Sequence, residues 1–82
     1  MEFEWDEQKT AMNRLKHGFD FIFAIRIFNG PVRRAIDPRP RSEPRIVATG
    51  MVEDRWITFV YTRRDGRYRM ISAGPARRNE RF

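Results

Sequence analysis

The sequence contains no cysteine, one histidine and only two lysines among its 82 residues. Without cysteine, the chain has neither a disulfide nor a thiolate metal site to stabilise it. It also lacks any run of about 18 apolar residues, which is the length that a membrane-spanning helix needs. The first four residues, MEFE, are acidic where a signal peptide would be basic. We therefore expect a cytoplasmic protein that does not associate with membranes.

The length of the chain allows one domain, which we expect to comprise residues 1–82. A chain of this size buries only roughly 60% of the surface that its unfolded state exposes, so its core is small. Seven Phe, two Trp and two Tyr supply most of the large apolar side chains. Both tryptophans, Trp5 and Trp56, are expected in the core. Because no disulfide adds stability, a binding partner is the remaining candidate for stabilising the fold.

Positive charge is concentrated in arginine and in the later part of the chain. Arginine accounts for 15 of the 17 basic residues, and the net charge is +6. Residues 1–30 carry four basic and five acidic residues, whereas residues 31–82 carry 13 basic and six acidic ones. A guanidinium group binds phosphate oxygens bidentately and stacks on bases. A GC-rich genome would also explain an excess of arginine, but not this asymmetry. The charge favours a phosphate-rich partner or a strongly acidic protein over a small neutral substrate.

The N-terminal residues predict a short strand and then a helix. Phe3 and Trp5 alternate with glutamates, as in a half-buried strand. Asp6 is a typical N-cap residue, and Gly18 suits the left-handed conformation that ends a helix. The apolar stripe of this helix consists of Ala11, Met12 and Leu15.

Residues 21–28 are apolar except for Arg26, and periodicity alone does not decide between helix and strand there. Asp20 can cap a helix that begins at residue 21. The sequence Asn-Gly-Pro at positions 29–31 can end it. These two signals favour a second helix.

The later part of the chain predicts four strands, at residues 32–37, 45–52, 55–62 and 67–73. Residues 38–44 contain three prolines, which predicts an exposed, extended loop. A tight turn at residues 53–54 and the Asp65-Gly66 pair predict two hairpins. Alternating apolar residues on both sides of strand 55–62 suggest that both of its faces are covered. Gly74-Pro75 is expected to end the last strand, and residues 76–82 to form a short cationic helix.

These elements predict an α+β fold, in which two N-terminal helices pack on an antiparallel β-sheet and a short helix ends the chain. The acidic residues form no cluster with metal-ligand spacing, and the sequence has neither a phosphate-binding glycine loop nor a serine-nucleophile motif. Chemistry must then come from Arg, Lys, Glu, Tyr or the histidine. This set suits RNA cleavage without a metal, because the 2′-hydroxyl is an internal nucleophile and the protein need only bind phosphate, stabilise charge and transfer protons. A non-catalytic RNA-binding protein would offer the same residue types.

Several residues are candidates for such chemistry, each with a structural alternative. His17 can transfer protons, because imidazole titrates near neutral pH, or it can simply close the first helix beside Gly18. Glu43 and Arg45 flank Pro44 and can form either a catalytic pair or an ordinary ion pair. Arginines expected along one side of the sheet are Arg45, Arg63, Arg67 and Arg69. Arginines of the C-terminal segment, which suit either a solvated helix face or phosphate contact, are Arg77, Arg78 and Arg81.

Three groups of residues form motifs that run through nearly the whole chain. The N-terminal motif is Phe3-x-Trp5-Asp6-x-x-Lys9-x-x-x-Asn13-x-x-Lys16-His17-Gly18-x-x-Phe21-x-x-Ala24. The later motifs are Glu43-x-Arg45 with Gly50, Arg69-x-Ile71-Ser72-Ala73, and Ala76, Arg78, Glu80 and Arg81. Together they resemble the BrnT toxins of bacterial type II toxin–antitoxin modules. The resemblance implies a RelE-like fold and a ribonuclease that inhibits translation. It also implies a BrnA-type antitoxin that forms a hetero-oligomer with the toxin and alone contacts DNA directly.

On this basis the candidate catalytic residues are His17 and Glu43 for proton transfer, and Arg45, Arg69 and Arg81 for phosphate binding and charge stabilisation. The candidate RNA-binding residues are Arg41, Arg63, Arg67, Arg77 and Arg78. No metal or cofactor is expected. The family usually has a basic pair where this chain has Gly74-Pro75, and this departure favours an alternative: a degenerate toxin that acts only as the partner in an autorepressor complex.

Overall fold

The computed structural model describes residues 2–82 and has an α+β architecture, as predicted. The strands are β1 (Phe3–Glu4), β2 (Arg33–Ile36), β3 (Ile46–Val52), β4 (Arg55–Arg64) and β5 (Arg67–Pro75). The helical elements are α1 (Glu7–His17), α2 (Phe21–Ala24), a 3₁₀ segment (Ile25–Asn29) and a 3₁₀ turn (Arg78–Glu80). The predicted domain starts at Met1, which lies outside the described residues.

The five strands form one sheet in the order β1-β5-β4-β3-β2. Strands β2 to β5 are antiparallel to their neighbours, but β1 runs parallel to β5 and pairs Phe3 with Tyr68. The sheet is therefore mixed, and the expectation of a purely antiparallel sheet is wrong at β1. Hairpin turns determine the direction of neighbouring strands, whereas no local signal determines the direction of a pair this far apart in sequence.

The predicted ends of α1 are confirmed. The Asp6 carboxylate accepts a hydrogen bond from the Gln8 N–H at 2.7 Å. Gly18 has φ 83°, and its N–H donates to the Arg14 carbonyl at 2.9 Å. Both groups satisfy backbone atoms that a helix end leaves unpaired.

The apolar stripe of α1 does not pack on the sheet. Leu15 is 81% exposed and Met12 is 62% exposed, and the only buried residue of α1 is Asn13. The Asn13 amide donates to the Phe19 carbonyl at 2.8 Å, and its Oδ1 accepts the Ala73 N–H at 3.3 Å. The polar side chain of Asn13 therefore connects α1 to β5, and Met12 and Leu15 of the apolar stripe remain on the surface.

The segment at residues 21–28 is helical, as predicted, but it changes from α to 3₁₀ geometry at Ile25. Asp20 caps it by accepting the Phe23 N–H at 2.9 Å. This hydrogen bond, together with the ion pair to Arg14 at 3.0 Å, lowers the pKa of Asp20. The fully buried residues of the whole segment recur every three positions and therefore share one face. They are Phe21, Ala24 and Ile27.

The helical segment packs on one face of the sheet and encloses the core. Ile57, Phe59 and Tyr61 of β4 point into this core and are at most 1% exposed. Gly50 on β3 lies directly under Ile27, so that a Cβ at position 50 would be 2.9 Å from the Ile27 Cβ. This close approach explains why a glycine occupies the middle of a strand.

The other face of the sheet, termed the open face, is not covered by α1 or α2. It consists of Val47, Thr49, Trp56, Thr58, Val60, Thr62, Arg69, Ser72 and Gly74. The expectation that both faces of β4 are covered is confirmed in part, because on this face Thr62 is only 5% exposed and Trp56 is half-buried. Trp56 nevertheless lies outside the hydrophobic core. The Trp56 ring packs against Phe82, at 5.1 Å between ring centroids. The predicted C-terminal helix would have covered more of this face, but it is only one 3₁₀ turn.

The prediction that Gly74-Pro75 ends the last strand is also wrong, because β5 continues through Pro75. The Ala76 N–H donates to the Trp56 carbonyl on β4 at 3.0 Å. By alternation, the nitrogen of Pro75 points away from β4, so the N–H that proline lacks costs no bond in the ladder.

Both predicted hairpin turns are confirmed. Glu53 and Asp54 have φ 48° and 65°, and Asp65 and Gly66 have φ 52° and 77°. Positive φ at both central residues is the geometry that matches the twist of a two-stranded hairpin. Residues 38–44 connect β2 to β3 without helix or strand. None of the helices within residues 2–82 has the length and apolar character that crossing a bilayer requires.

Candidate functional site

The loop 38–44 and the open face enclose a polar cleft of about 310 Å³, termed the loop cleft. Four of the predicted site residues line it: Arg41, Glu43, Arg45 and Arg69. Lys9 of α1 and Arg64 of β4 add two further cations. Arg41 and Glu43 of the proline-containing loop therefore lie in the same cleft as the strand arginines Arg64 and Arg69.

Glu43 is held in this cleft by Arg64. The Arg64 Nη2 and Nε donate to the two carboxylate oxygens at 2.7 and 3.1 Å. These hydrogen bonds lower the pKa of Glu43, because they stabilise its ionised carboxylate. The ion pair considered between Glu43 and Arg45 does not form, because Arg64 occupies the carboxylate instead.

Arg45 and Arg69 are the arginines of the loop cleft that lack an acidic partner. Within residues 2–82, neither guanidinium has a carboxylate oxygen within 4.0 Å. Arg41 lies 4.0 Å from Asp37, and Arg64 is paired with Glu43. The donors of Arg45 and Arg69 are therefore available to an anion from outside, and each can bind phosphate through two N–H groups.

A second cleft, termed the central cleft, has a volume of about 470 Å³ and shares Arg45 with the loop cleft. His17, Arg77 and Glu80 also line it, together with Lys16 of α1. The structure thus joins His17 with Arg45 and Arg77, which are far apart in sequence. His17 and Glu43 line different clefts, and Arg45 belongs to both.

His17 rests on the backbone of β5 at Gly74. A Cβ at position 74 would be 3.2 Å from the His17 Nε2, which is closer than ordinary contact. The imidazole also lies against the Phe19 ring, at 6.1 Å between centroids. Gly74 therefore leaves room for the half-buried imidazole beside the open face.

Glu80 is the site residue that sequence reasoning missed. Its Oε1 accepts the Arg77 N–H at 2.7 Å and the Thr58 hydroxyl at 3.1 Å. Thr58 is in turn hydrogen-bonded to the Thr49 hydroxyl at 3.0 Å. Glu80 is part of the motif quoted above, but its contact with a strand 22 residues earlier has no local signal. Glu80 and Asp37 are thus the two carboxylates that line the central cleft.

Asp37 holds the arginines at the start of the loop. Arg39 donates to its Oδ1 through the backbone N–H at 3.0 Å and to its Oδ2 through Nη2 at 2.8 Å. These bonds hold the pKa of Asp37 well below its ordinary value. Arg39 is consequently neutralised locally and is a weaker candidate for phosphate binding than Arg45.

The remaining predicted site residues lie outside the two clefts. Arg63 projects to the core side of the sheet, where its guanidinium is 5.6 Å from the centroid of the Tyr68 ring. The expectation that it shares a face with Arg69 is therefore wrong. Arg67 is paired with Glu2 at 3.2 Å and is exposed. Arg78 and Arg81 are exposed beside the 3₁₀ turn and line neither cleft.

The sequence matches a known protein family over most of its length. Residues 5–80 match the family described as the ribonuclease toxin BrnT of type II toxin–antitoxin systems. No curated protein matches the chain. The matched segment contains both clefts and every strand from β2 to β5. Because the family model covers nearly the whole sequence, the chain belongs to the BrnT family of ribonuclease toxins, which act in type II toxin–antitoxin systems with a protein antitoxin.

Proposed function

We propose that this chain is a metal-independent endoribonuclease of RelE-like fold, which cleaves RNA in the cytoplasm and thereby inhibits translation. One observation carries the proposal: Arg45, which has no acidic partner within residues 2–82, belongs to both clefts, and the two candidate proton-transfer groups, Glu43 and His17, lie one in each cleft. A phosphate bound at Arg45 would have Glu43 in one cleft and His17 in the other. General acid–base catalysis requires such a pair of groups around one reacting phosphate.

In the proposed reaction, the RNA 2′-hydroxyl attacks the adjacent phosphorus, and the bond to the 5′-oxygen breaks. Glu43 accepts the proton of the 2′-hydroxyl as the general base, and His17 donates a proton to the departing 5′-oxygen as the general acid. The products are a 2′,3′-cyclic phosphate and a 5′-hydroxyl, so atoms and charge balance without a further reactant.

Arg45 and Arg69 would stabilise the charge that develops on the non-bridging phosphate oxygens. Guanidinium groups preorganised for this purpose interact more strongly with the transition state than with the ground state. Arg41, which lines the loop cleft, and Arg77, which lines the central cleft, would bind neighbouring phosphates. Arg78 and Arg81, which are exposed, would add long-range electrostatic attraction for the RNA phosphates. Arg63 and Arg67 lie outside this RNA path, because Arg63 faces the core side of the sheet and Arg67 is paired with Glu2.

Replacing Arg45 by lysine tests this assignment. Lysine keeps the charge but loses the bidentate geometry, so we expect Arg45→Lys to reduce RNA cleavage at least tenfold while leaving the thermal stability unchanged. Arg26→Lys is the matched control, because Arg26 is exposed and paired with Glu53 at 2.9 Å, away from both clefts. Equal activity of Arg45→Lys and the wild type would reduce Arg45 to a generic positive charge.

The partner in this proposal is a BrnA-type antitoxin that covers the open face and competes with RNA for Arg45 and Arg69. The toxin would then contact operator DNA only through the antitoxin, within a hetero-oligomer. Binding to the folded toxin raises its apparent stability by about 4 kcal/mol at a thousandfold excess over Kd. Co-purification with the product of the neighbouring gene, followed by thermal melts, tests this. Operator binding by the toxin alone would contradict it.

A second candidate function is a non-catalytic RNA-binding or autorepressor partner. Gly74 favours it, because this position borders the central cleft and provides no positive charge where the family usually has a basic residue. Inducible expression separates the two functions. Growth arrest that the antitoxin relieves supports the ribonuclease, and normal growth of cells that contain the folded protein supports the second function.

A further inference from the structure

A third cavity, termed the α1 groove, lies between α1 and the outer edge of β5 and has a volume of about 430 Å³. The surface that lines this groove is mostly apolar, unlike the surfaces that line the two clefts. Its apolar side chains are those of Met12, Phe21, Ile71 and Ala73. Asp6, which caps α1, also lines it, together with Asn13 and His17. An apolar groove on a chain with net charge +6 is not explained by phosphate binding.

Both lysines of the chain lie at the rim of this groove. Lys9 and Lys16 are seven residues apart on α1, which is close to two helical turns, and therefore share one face of the helix. Met12 lies between them and is 62% exposed. The groove thus combines an apolar floor with two positive charges spaced along one side.

The edge of β5 beside the groove cannot easily accept an added strand. β1 occupies it at Tyr68 and Arg69, and the Asn13 side chain takes the Ala73 N–H at 3.3 Å. Pro75 has no N–H to offer. Because strand addition depends on free backbone groups along an edge, an occupant of this groove would bind through side chains, as an amphipathic helix does.

We propose that the α1 groove binds the apolar face of an acidic amphipathic helix of the antitoxin. The inference rests on the proposed neutralisation by a protein antitoxin, and it adds a binding site separate from the phosphate-binding arginines. Apolar side chains of the helix contact Met12 and Ile71, and its carboxylates pair with Lys9 and Lys16. A second copy of this chain would instead bring further positive charge to the lysines. RNA would gain little from an apolar floor.

The groove adjoins the proposed RNA site, because Lys16 and His17 line both the α1 groove and the central cleft. A helix bound in the groove therefore ends beside His17. This position gives the antitoxin an apolar anchor at Met12, which lies outside both clefts, and charged contacts at Lys9 and Lys16 that compete with RNA.

The test compares Met12→Lys with Leu15→Lys, using the purified product of the neighbouring gene as the antitoxin. Both positions are exposed on α1, but Leu15 does not line the groove. Met12→Lys should raise the Kd for the antitoxin at least tenfold, because it places a charge against the apolar floor. Leu15→Lys should change the Kd less than twofold. RNA cleavage by the free protein and its melting temperature should be the same for both variants and the wild type.

Equal Kd values for Met12→Lys and the wild type would overturn the proposal and leave the ribonuclease function intact. Failure of the wild type to bind the antitoxin would overturn the proposed neutralisation as well. If Met12→Lys instead abolishes self-association in sedimentation and leaves the Kd unchanged, the occupant is a second copy of the chain. A loss of RNA cleavage specific to Met12→Lys would assign the groove to RNA.

Discussion

Asn13 joins α1 to β5, and replacing it by alanine tests the most unusual contact of the fold. The side chain satisfies the carbonyl of Phe19 and the N–H of Ala73, both in residues at most 5% exposed. In Asn13→Ala these two backbone groups remain buried without partners, and each costs about 1–3 kcal/mol. We therefore expect a loss of about 2–5 kcal/mol in the free energy of unfolding. A domain of this size has only about 4–12 kcal/mol in total, so the loss is severe.

Urea unfolding followed by circular dichroism measures this loss, with Asn29→Ala as the control at an exposed position. Asn13→Asp adds a second test. An ionised carboxylate accepts the Ala73 N–H but cannot donate to Phe19, whereas the protonated form can do both. The stability of Asn13→Asp relative to the wild type should therefore rise as the pH falls through the carboxyl pKa. A loss below 1 kcal/mol in Asn13→Ala would refute the role assigned to the side chain.

Three further predictions concern packing, RNA affinity and acid stability. Gly50→Ala should destabilise the protein by about 1–3 kcal/mol, because the new methyl group would be 2.9 Å from the Ile27 Cβ. Thermal melts measure this loss, and an unchanged melting temperature would contradict the close approach. Arg78→Ala should weaken RNA binding about equally for all sequences and reduce the salt dependence of the affinity, as measured by fluorescence anisotropy, because Arg78 is exposed and outside both clefts. The pKa values of Asp37 and Glu43 lie below their ordinary values of 3.8 and 4.5. Their ion pairs therefore stabilise the folded protein fully above these ordinary values, and this stabilisation is lost as the pH falls below them. The melting temperature should consequently show no loss from these two groups between pH 7 and 5 and should fall below about pH 4.5; 0.5 M salt should reduce that fall, because the pairs are exposed.

Local signals in the sequence predicted the elements of this fold well. The caps at Asp6 and Gly18 and the positive-φ turn at Asp65 each depend on neighbouring residues only, and each lies where the sequence indicated. The packing face of α1 could not be predicted in this way. Hydrophobic periodicity favoured the side with Met12, but the helix packs through Asn13, whose partner Ala73 is 60 residues away.

The candidate site was predictable in its residue types but not in its pairings. Arg45 followed from a motif, whereas its position between two clefts depends on the loop 38–44 and on α1. The neutralisation of Glu43 by Arg64 depends on a contact across 21 residues. Long-range contacts of this kind decide which arginines are free, and composition alone cannot reveal them.

The central claim is that the two clefts form a ribonuclease site that needs no metal. The most direct measurement incubates the purified protein with RNA in excess EDTA and determines the chemistry of the cleaved ends. We predict 2′,3′-cyclic phosphate and 5′-hydroxyl ends, and a much slower reaction with Arg45→Lys than with Arg26→Lys. Cleavage that depends fully on added divalent metal, or RNA left intact by the folded protein, would contradict the account.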